Sequence, residues 1–284
     1  MAGSAAGNAT YLKMQRNSYA TVATTREGAE AAVHPNYAEA RAASKSTLAY
    51  MLNDYAERNA TVRGADITEV RKEFLEIPKK GAFRALDYGC GVGRNMEELV
   101  NSGFAADGVD ISPEMLGFAK NSETLSKAGS KFFLSGGQDC GDAPAASYDF
   151  VFSVLCFQHI CVRSIRSSIL QSMHRALKPN GVVSIQFQYY PKITSAQIPQ
   201  NHASWSEDKV NAVGTNSAAD VWVTADKLHE VHDDFRALFN DVRFQFIEIG
   251  TYPGLEKQYE YPFGHLFVSG SKTAGLRDRI YKPV

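Results

Sequence analysis

The sequence is poor in the features that announce a metal centre, a membrane span or a polyanion partner. Its four cysteines, Cys90, Cys140, Cys156 and Cys161, form no C-x-x-C pair, and each lies in or beside an apolar segment. Reduced, buried thiols fit that spacing better than disulfides or a metal site. No apolar run approaches the ~18 residues of a membrane-spanning helix, so no membrane partner is expected. Thirty Lys and Arg against 31 Asp and Glu leave a formal net charge of −1. Nucleic-acid binding rests on a basic footprint, and the chain as a whole lacks one, although a local basic groove stays open.

What is present is ordinary globular material. A chain of 284 residues, 44% hydrophobic and 21% charged, can bury a useful core, and one decorated domain is the default at that length. The first 26 residues are rich in Ala, Ser and Thr, carry Lys13, Arg16 and Arg26, and contain no acid. That composition resembles an organelle transit peptide. The favoured reading is an N-terminal arm packed on the domain, in a cytoplasmic protein that is a monomer or homodimer.

From about 37 to 77 the pattern is helical, with Leu48, Met51, Leu52 and Tyr55 at helical spacing and a second helix in "DITEVRKEFLEI" ending before Pro78. Beyond "PKKG", short apolar runs alternate with amphipathic helices, the mark of βαβ units and a parallel sheet. Strands are predicted at 83–88, 105–110, 131–135, 148–154 and 181–188, with helices at 93–102, 113–127 and 162–177 between them. Residues 190–222 break the alternation and read as an insertion over the sheet. A helix at 224–239 and two strands at 241–249 and 262–269, close enough to pair antiparallel, follow. No internal repeat is visible. The division is an N-terminal arm and helical cap over 1–80 and a second part over 81–284, together one unit.

The stretch "RALDYGCGVGRN" joins a strand to a helix through Gly89, Gly91 and Gly93. A glycine-rich turn there lets backbone N–H groups approach an anionic or carboxylate-bearing ligand. A dinucleotide fingerprint needs G-x-G-x-x-G, and its third glycine place holds Arg94. A Walker-type loop fails too, because no G-K-[ST] follows. Asp110 closes the next strand 19 residues after Gly91, where an acid can accept hydrogen bonds from ribose hydroxyls.

"LDYGCGVGRN", "GVDISPEML", "YDFVFSVLCFQHI" and "RALKPNGVVSIQF" together resemble successive motifs of class I S-adenosylmethionine-dependent methyltransferases, closest to the small-molecule and general methyltransferase-domain group. The resemblance covers about 82–189, with the last two strands fitting the family's added hairpin. It implies an α/β, Rossmann-like, doubly wound seven-stranded sheet in the order 3-2-1-4-5-7-6 with the last strand antiparallel. It also implies S-adenosylmethionine as cofactor, S-adenosylhomocysteine as product and a small-molecule acceptor. By position, Asp87, Gly89, Gly91 and Gly93, with Arg94, surround the methionine moiety. Asp110 holds the ribose, Ile111 and Met115 lie near the adenine, and Ser153, Val154 and Leu155 run along the methionine portion. Where the family often has Gly-Asp-Ala this chain reads "SGGQDC", so Gly136 takes the Asp place. Gly137, Gln138 and Asp139 are then the candidates for the adenine contact.

Methyl transfer is an in-line displacement to which the protein contributes chiefly proximity and orientation. A base is needed only when the acceptor must lose a proton. His159 is the candidate base because it follows the fourth strand, where ligands gather at carboxyl ends; packing is its alternative role. Gln158, Tyr189, His202, Trp205 and Tyr37 are candidate substrate-lining residues, and Tyr190, Tyr252, Tyr259 and Tyr261 flank the strand ends. His229 and His232 lie among acids and read as a solvated face rather than a metal site. The alternatives are an RNA or protein methyltransferase, or an inactive partner subunit that binds the cofactor.

Overall fold

The computed structural model describes residues 5–22, 47–58, 83–211, 220–248, 263–273 and 279–280. Its frame is a set of parallel strands whose alternating side chains feed two cores. These are β1 (Arg84–Tyr88), β2 (Ala105–Asp110), β3 (Phe132–Leu134), β4 (Tyr148–Ser153) and β5 (Leu177–Tyr190). β8 (Asn240–Glu248) and β9 (Gly264–Ser271) complete the main frame, with β9 antiparallel to both β5 and β8. The order runs β3-β2-β1-β4-β5-β9-β8, with the two-residue β10 (Arg279–Ile280) on the far edge of β8. That is the seven-stranded order the resemblance implies.

Period-two alternation sorts the strands between the faces. Leu86, Tyr88, Val151, Val183 and Ile185 meet Ile165, Ile169 and Met173 of α6 (Arg163–Ala176), and Val231 and Phe235 of α7 (Leu228–Arg236). Ala85, Phe150 and Phe152 meet the opposite layer. That layer holds Leu48, Met51 and Tyr55 of α2 (47–58) and Met96 and Leu99 of α3 (Arg94–Asn101). Leu116 of α4 (Pro113–Lys120) and Leu125 of α5 (Glu123–Lys127) complete it. Helices therefore cover both faces, as parallel sheets require.

Four expectations need correction. The helix expected over 113–127 is two, because Ser122 caps the second through Leu125 N–H while its hydroxyl donates to Glu97. β5 begins at Leu177 rather than 181; Tyr148 pairs with Leu177 but Phe150 with Val182, so a bulge absorbs the Pro179–Gly181 segment. The insertion is not all loop: β7 (Val221–Thr224) joins β5 in parallel and carries the short β6 (Ala203–Ser204). The helix expected from 224 starts at Leu228, after a 3-10 turn at Ala225–Lys227. The helix expected at 66–77 lies outside the described residues.

One element owes little to apolar patterning. α1 (Ala5–Val22) crosses the carboxyl edge of the sheet and is held largely by polar contacts. Tyr11 Oη donates to the His159 carbonyl and accepts from Cys161 N–H, and Gln15 Nε2 donates to the same carbonyl. Arg16 donates to the Ile111 and Ser135 carbonyls beyond β2 and β3.

Candidate functional site

The turn after β1 is fixed by its own backbone. Gly89 and Cys90 N–H both donate to the Val109 carbonyl of β2, at 2.8 and 3.0 Å. Gly89 has φ +76°, and a Cβ there would stand 2.4 Å from Cys156 Sγ, so no side chain fits. Gly91 has φ +53° and would project its Cβ into space with nothing within 4 Å. A ligand can therefore lie against the bare backbone at Gly91.

Two buried carboxyl groups flank that space. Asp87 is fully buried, and neither oxygen has a well-formed hydrogen bond, although the Asn95 side chain and Arg94 lie near it. Burial first, and then the charge of Asp110, push its pKa up to about 8; nearby Arg94 and Asn95 pull the other way. A buried carboxyl group without a partner is costly, and a cation brought beside it would relieve that cost. Asp110 is better served: Oδ2 accepts from Gly91 N–H at 2.8 Å and Oδ1 from Ser112 N–H at 2.9 Å. Each carboxylate oxygen has a second lone pair, so Asp110 can still accept from two hydroxyls. Burial raises its pKa, and these backbone donors oppose the shift. Ser112 also caps α4 by accepting from Met115 N–H, which sets Ile111 and Met115 beside the carboxyl.

The loop after β3 closes the far side. Asp139 Oδ1 accepts from Gly136 and Gly141 N–H at 3.1 and 2.8 Å, so this carboxyl holds its own loop. Gln138 is exposed. Gly137 packs where a Cβ would strike Leu12 of α1 and Ile111.

At the carboxyl end of β4, Ser153 donates to the Tyr88 carbonyl at 2.8 Å and Val154 is buried. Leu155 takes φ 55°, a left-handed conformation that costs a non-glycine residue energy and is concentrated at functional sites. A 3-10 turn at Phe157–His159 then presents His159. Its Nδ1 lies 2.6 Å from Asp220 Oδ1, with Asp220 buried at 4% side-chain exposure. Asp220 N–H in turn donates to His202 Nδ1 at 3.0 Å. Tyr19 of α1 packs on Val92 and Met115. Burial pushes its phenol far above the ordinary range, with Cys156, Asp110 and Asp220 adding to the shift. α1 thus reaches the His159 turn through Tyr11 and Gln15 and the loop after Asp110 through Arg16.

Gln158 is buried beside His159, and its Oε1 has no partner. Tyr189 is half-buried against Phe246, with ring centroids 4.9 Å apart. Trp205 is not a lining residue: its indole is fully buried, donates to Asp234 at 2.9 Å, and packs on Phe187 and the Arg166 guanidinium. Tyr37, Tyr252, Tyr259 and Tyr261 lie outside the described residues. His232 packs on Phe244, and among the described residues no three His, Cys, Asp or Glu side chains cluster as a metal site would. All four cysteines are free; Cys156 is half-buried and the others are buried.

Sequence reading missed Asp220 and the α1 contacts. Tyr11, Gln15 and Tyr19 do stand at i, i+4 and i+8, one helical face of polar and aromatic residues. Asp220 carried no such signal, because only the pairing of β7 with β5 brings it to His159.

Residues 86–185 match the family model described as a methyltransferase domain. Among curated proteins, "Putative methyltransferase YqeM" of Bacillus subtilis is 28% identical over 55% of this chain and 60% of its own length. A second, "Putative methyltransferase GWCH70_2453" of a Geobacillus species, is 36% identical over 22% of this chain and 26% of its own. The chain thus spans under two thirds of the curated relatives it matches. Among solved structures, phosphoethanolamine N-methyltransferase 2 of Haemonchus contortus superposes with a TM-score of 0.50 at 18% identity, covering 72% of this chain and 53% of that one. That likeness speaks to the fold alone. The matched domain, the sheet order and the site after β1 thus agree with the resemblance to class I S-adenosylmethionine-dependent methyltransferases.

Proposed function

We propose that this chain binds S-adenosylmethionine in the cleft over Gly91 and methylates a small-molecule acceptor. The single observation that carries the binding is Asp87: a fully buried carboxyl with no well-formed hydrogen bond on either oxygen, beside an open glycine backbone. The ammonium of a methionine moiety is the kind of cation that would satisfy it, and Asp110 keeps acceptor capacity for ribose hydroxyls. The residues present therefore fit the cofactor. When bound, it supplies an activated methyl group on a sulfonium.

The chain's own residues bind, orient and cover. Asp87 and Asp110 fix the two ends, Ile111 and Met115 offer apolar surface between them and α1, and Ser153 to Leu155 shape the edge nearest the acceptor. α1 lies over the carboxyl edge through Tyr11, Gln15 and Arg16, as a lid that excludes water would. Such cover, with a net charge of −1, favours a small acceptor over a nucleic acid. The phosphoethanolamine relative offers one acceptor class to try first. Incubation with methyl-labelled S-adenosylmethionine and a cell extract tests the reading. Label should enter the small-molecule fraction; label entering only RNA or protein contradicts it.

A further inference from the structure

We propose that Asp220 is the positioning partner that makes His159 a base. It follows that the acceptor carries a proton that must be lost on methylation, a hydroxyl in the first place. This rests on the methyltransferase reading and adds to it a residue and an acceptor class.

The hydrogen-bond inventory fixes the proton positions. Asp220 Oδ1 can only accept when ionised, so the 2.6 Å contact puts a proton on His159 Nδ1. In the neutral ring the lone pair is then on His159 Nε2. The Asp220 backbone N–H can only donate, so His202 Nδ1 is an acceptor and its proton sits on Nε2, where the Asn201 amide 3.2 Å away accepts it with its oxygen once the amide is turned over. The two histidines beside Asp220 are thus opposite tautomers. His202 is neutral, which matches the direction in which burial shifts it, and leaves the carboxylate charge to His159.

The surroundings hold this arrangement in place. The His159 carbonyl accepts from Tyr11 and Gln15, so α1 fixes the turn that carries the ring. Ala203 N–H donates to the Asp220 carbonyl, and the His202 ring lies 4.6 Å from Trp222. The His159 side chain keeps 19% of its surface exposed. Cys156, three residues before His159, stands against Gly89, and α1 bonds both the His159 and the Ile111 carbonyls, which sets the pair beside the cofactor cleft.

The step balances as follows. The acceptor O–H bond breaks and its proton goes to His159 Nε2. The oxygen pair forms the bond to the methyl carbon, and the carbon–sulfur pair stays on sulfur. Asp220 balances the imidazolium that results. A thioether or tertiary amine has no proton to give and would gain nothing from this pair.

Nitrogen-15 NMR of histidine-labelled protein at pH 8 reads the tautomers without any acceptor. The wild type should show His159 protonated on Nδ1 and His202 on Nε2. Asp220→Ala, which offers the Nδ1–H no acceptor, should let the His159 proton return to Nε2, the tautomer a free imidazole prefers. Wild-type His159 protonated on Nε2 would overturn the positioning role, as would an Asp220→Ala spectrum with its tautomer unchanged. Titration with S-adenosylhomocysteine serves as the control, because loss of binding in the wild type sinks the methyltransferase reading, not this one. Labelled methyl transfer to catechol, phosphoethanolamine and dimethyl sulfide tests the acceptor class. In Asp220→Asn and His159→Gln, kcat on catechol should fall roughly 100-fold or more with KM little changed. Turnover of dimethyl sulfide alone, or catechol turnover insensitive to both variants, would overturn the acceptor class. If none of the three probes turns over, the tautomers decide the positioning role.

Discussion

At residue 87 a removable charge separates folding from binding. The folded pKa of Asp87 is about 8, against an ordinary value of 3.8, so the native apoprotein holds a proton that the unfolded chain releases. Its contribution to stability is full below pH 3.8 and is lost as pH rises through 8. Asp87→Asn cannot ionise. Its melting temperature relative to wild type should therefore climb between pH 6 and 9, while its affinity for S-adenosylhomocysteine drops. A constant difference across that range would mean Asp87 is already ionised in the apoprotein. Wild-type affinity should rise with pH toward 8, since pairing with an ammonium expels that proton; calorimetry in buffers of different ionisation enthalpy counts it. Asp110→Ala removes two backbone contacts and the ribose acceptor, and should weaken binding about 10- to 100-fold, as charged hydrogen bonds of about 1.5–3 kcal/mol imply. Both acids were legible in the sequence, one at a strand end before glycines and one 19 residues on. Trp205 misled, since an aromatic in an insertion gives no sign that Asp234 and Arg166 hold it in the core.

Among the elements, α1 and α2 are fixed by different physics. Tyr11→Phe keeps the ring of α1 but leaves Cys161 N–H buried without its acceptor. It should cost about 1–3 kcal/mol, measured by a lower urea midpoint at unchanged slope. α2 is tied to β8 and β9 by a buried ionic cluster. Arg58 bonds Asp54, Asp241 and Ser269, while Arg243 bonds both acids. Arg58→Met leaves two buried carboxylates sharing one guanidinium, and breaking such a cluster costs about 3–5 kcal/mol. A variant as stable as wild type would mean the cluster is dispensable. Helical spacing revealed α2, but not that Asp241, 183 residues beyond Arg58, would receive its charge. α1 was harder to read because polar side chains hold it, and hydrophobic periodicity is blind to those.

For the whole molecule, the alternation of short apolar runs with helices carried the parallel sheet, because parallel strands buried on both faces must read as apolar runs, while the strand order came with the family resemblance. The extra strands β6 and β7 were not legible: two- and four-residue strands inside an insertion leave no period to count. Yet β7 delivers Asp220 to His159, so the least readable element supplies the partner of the candidate base. What receives the methyl group is likewise carried by tertiary placement rather than by a motif. The methyl donor rests on local sequence, and calorimetric titration of the wild-type chain with S-adenosylhomocysteine and, separately, with NAD tests it most directly. Saturable single-site binding of S-adenosylhomocysteine, with no heat from NAD, is the predicted result. Binding of NAD, or no binding of S-adenosylhomocysteine, would contradict it.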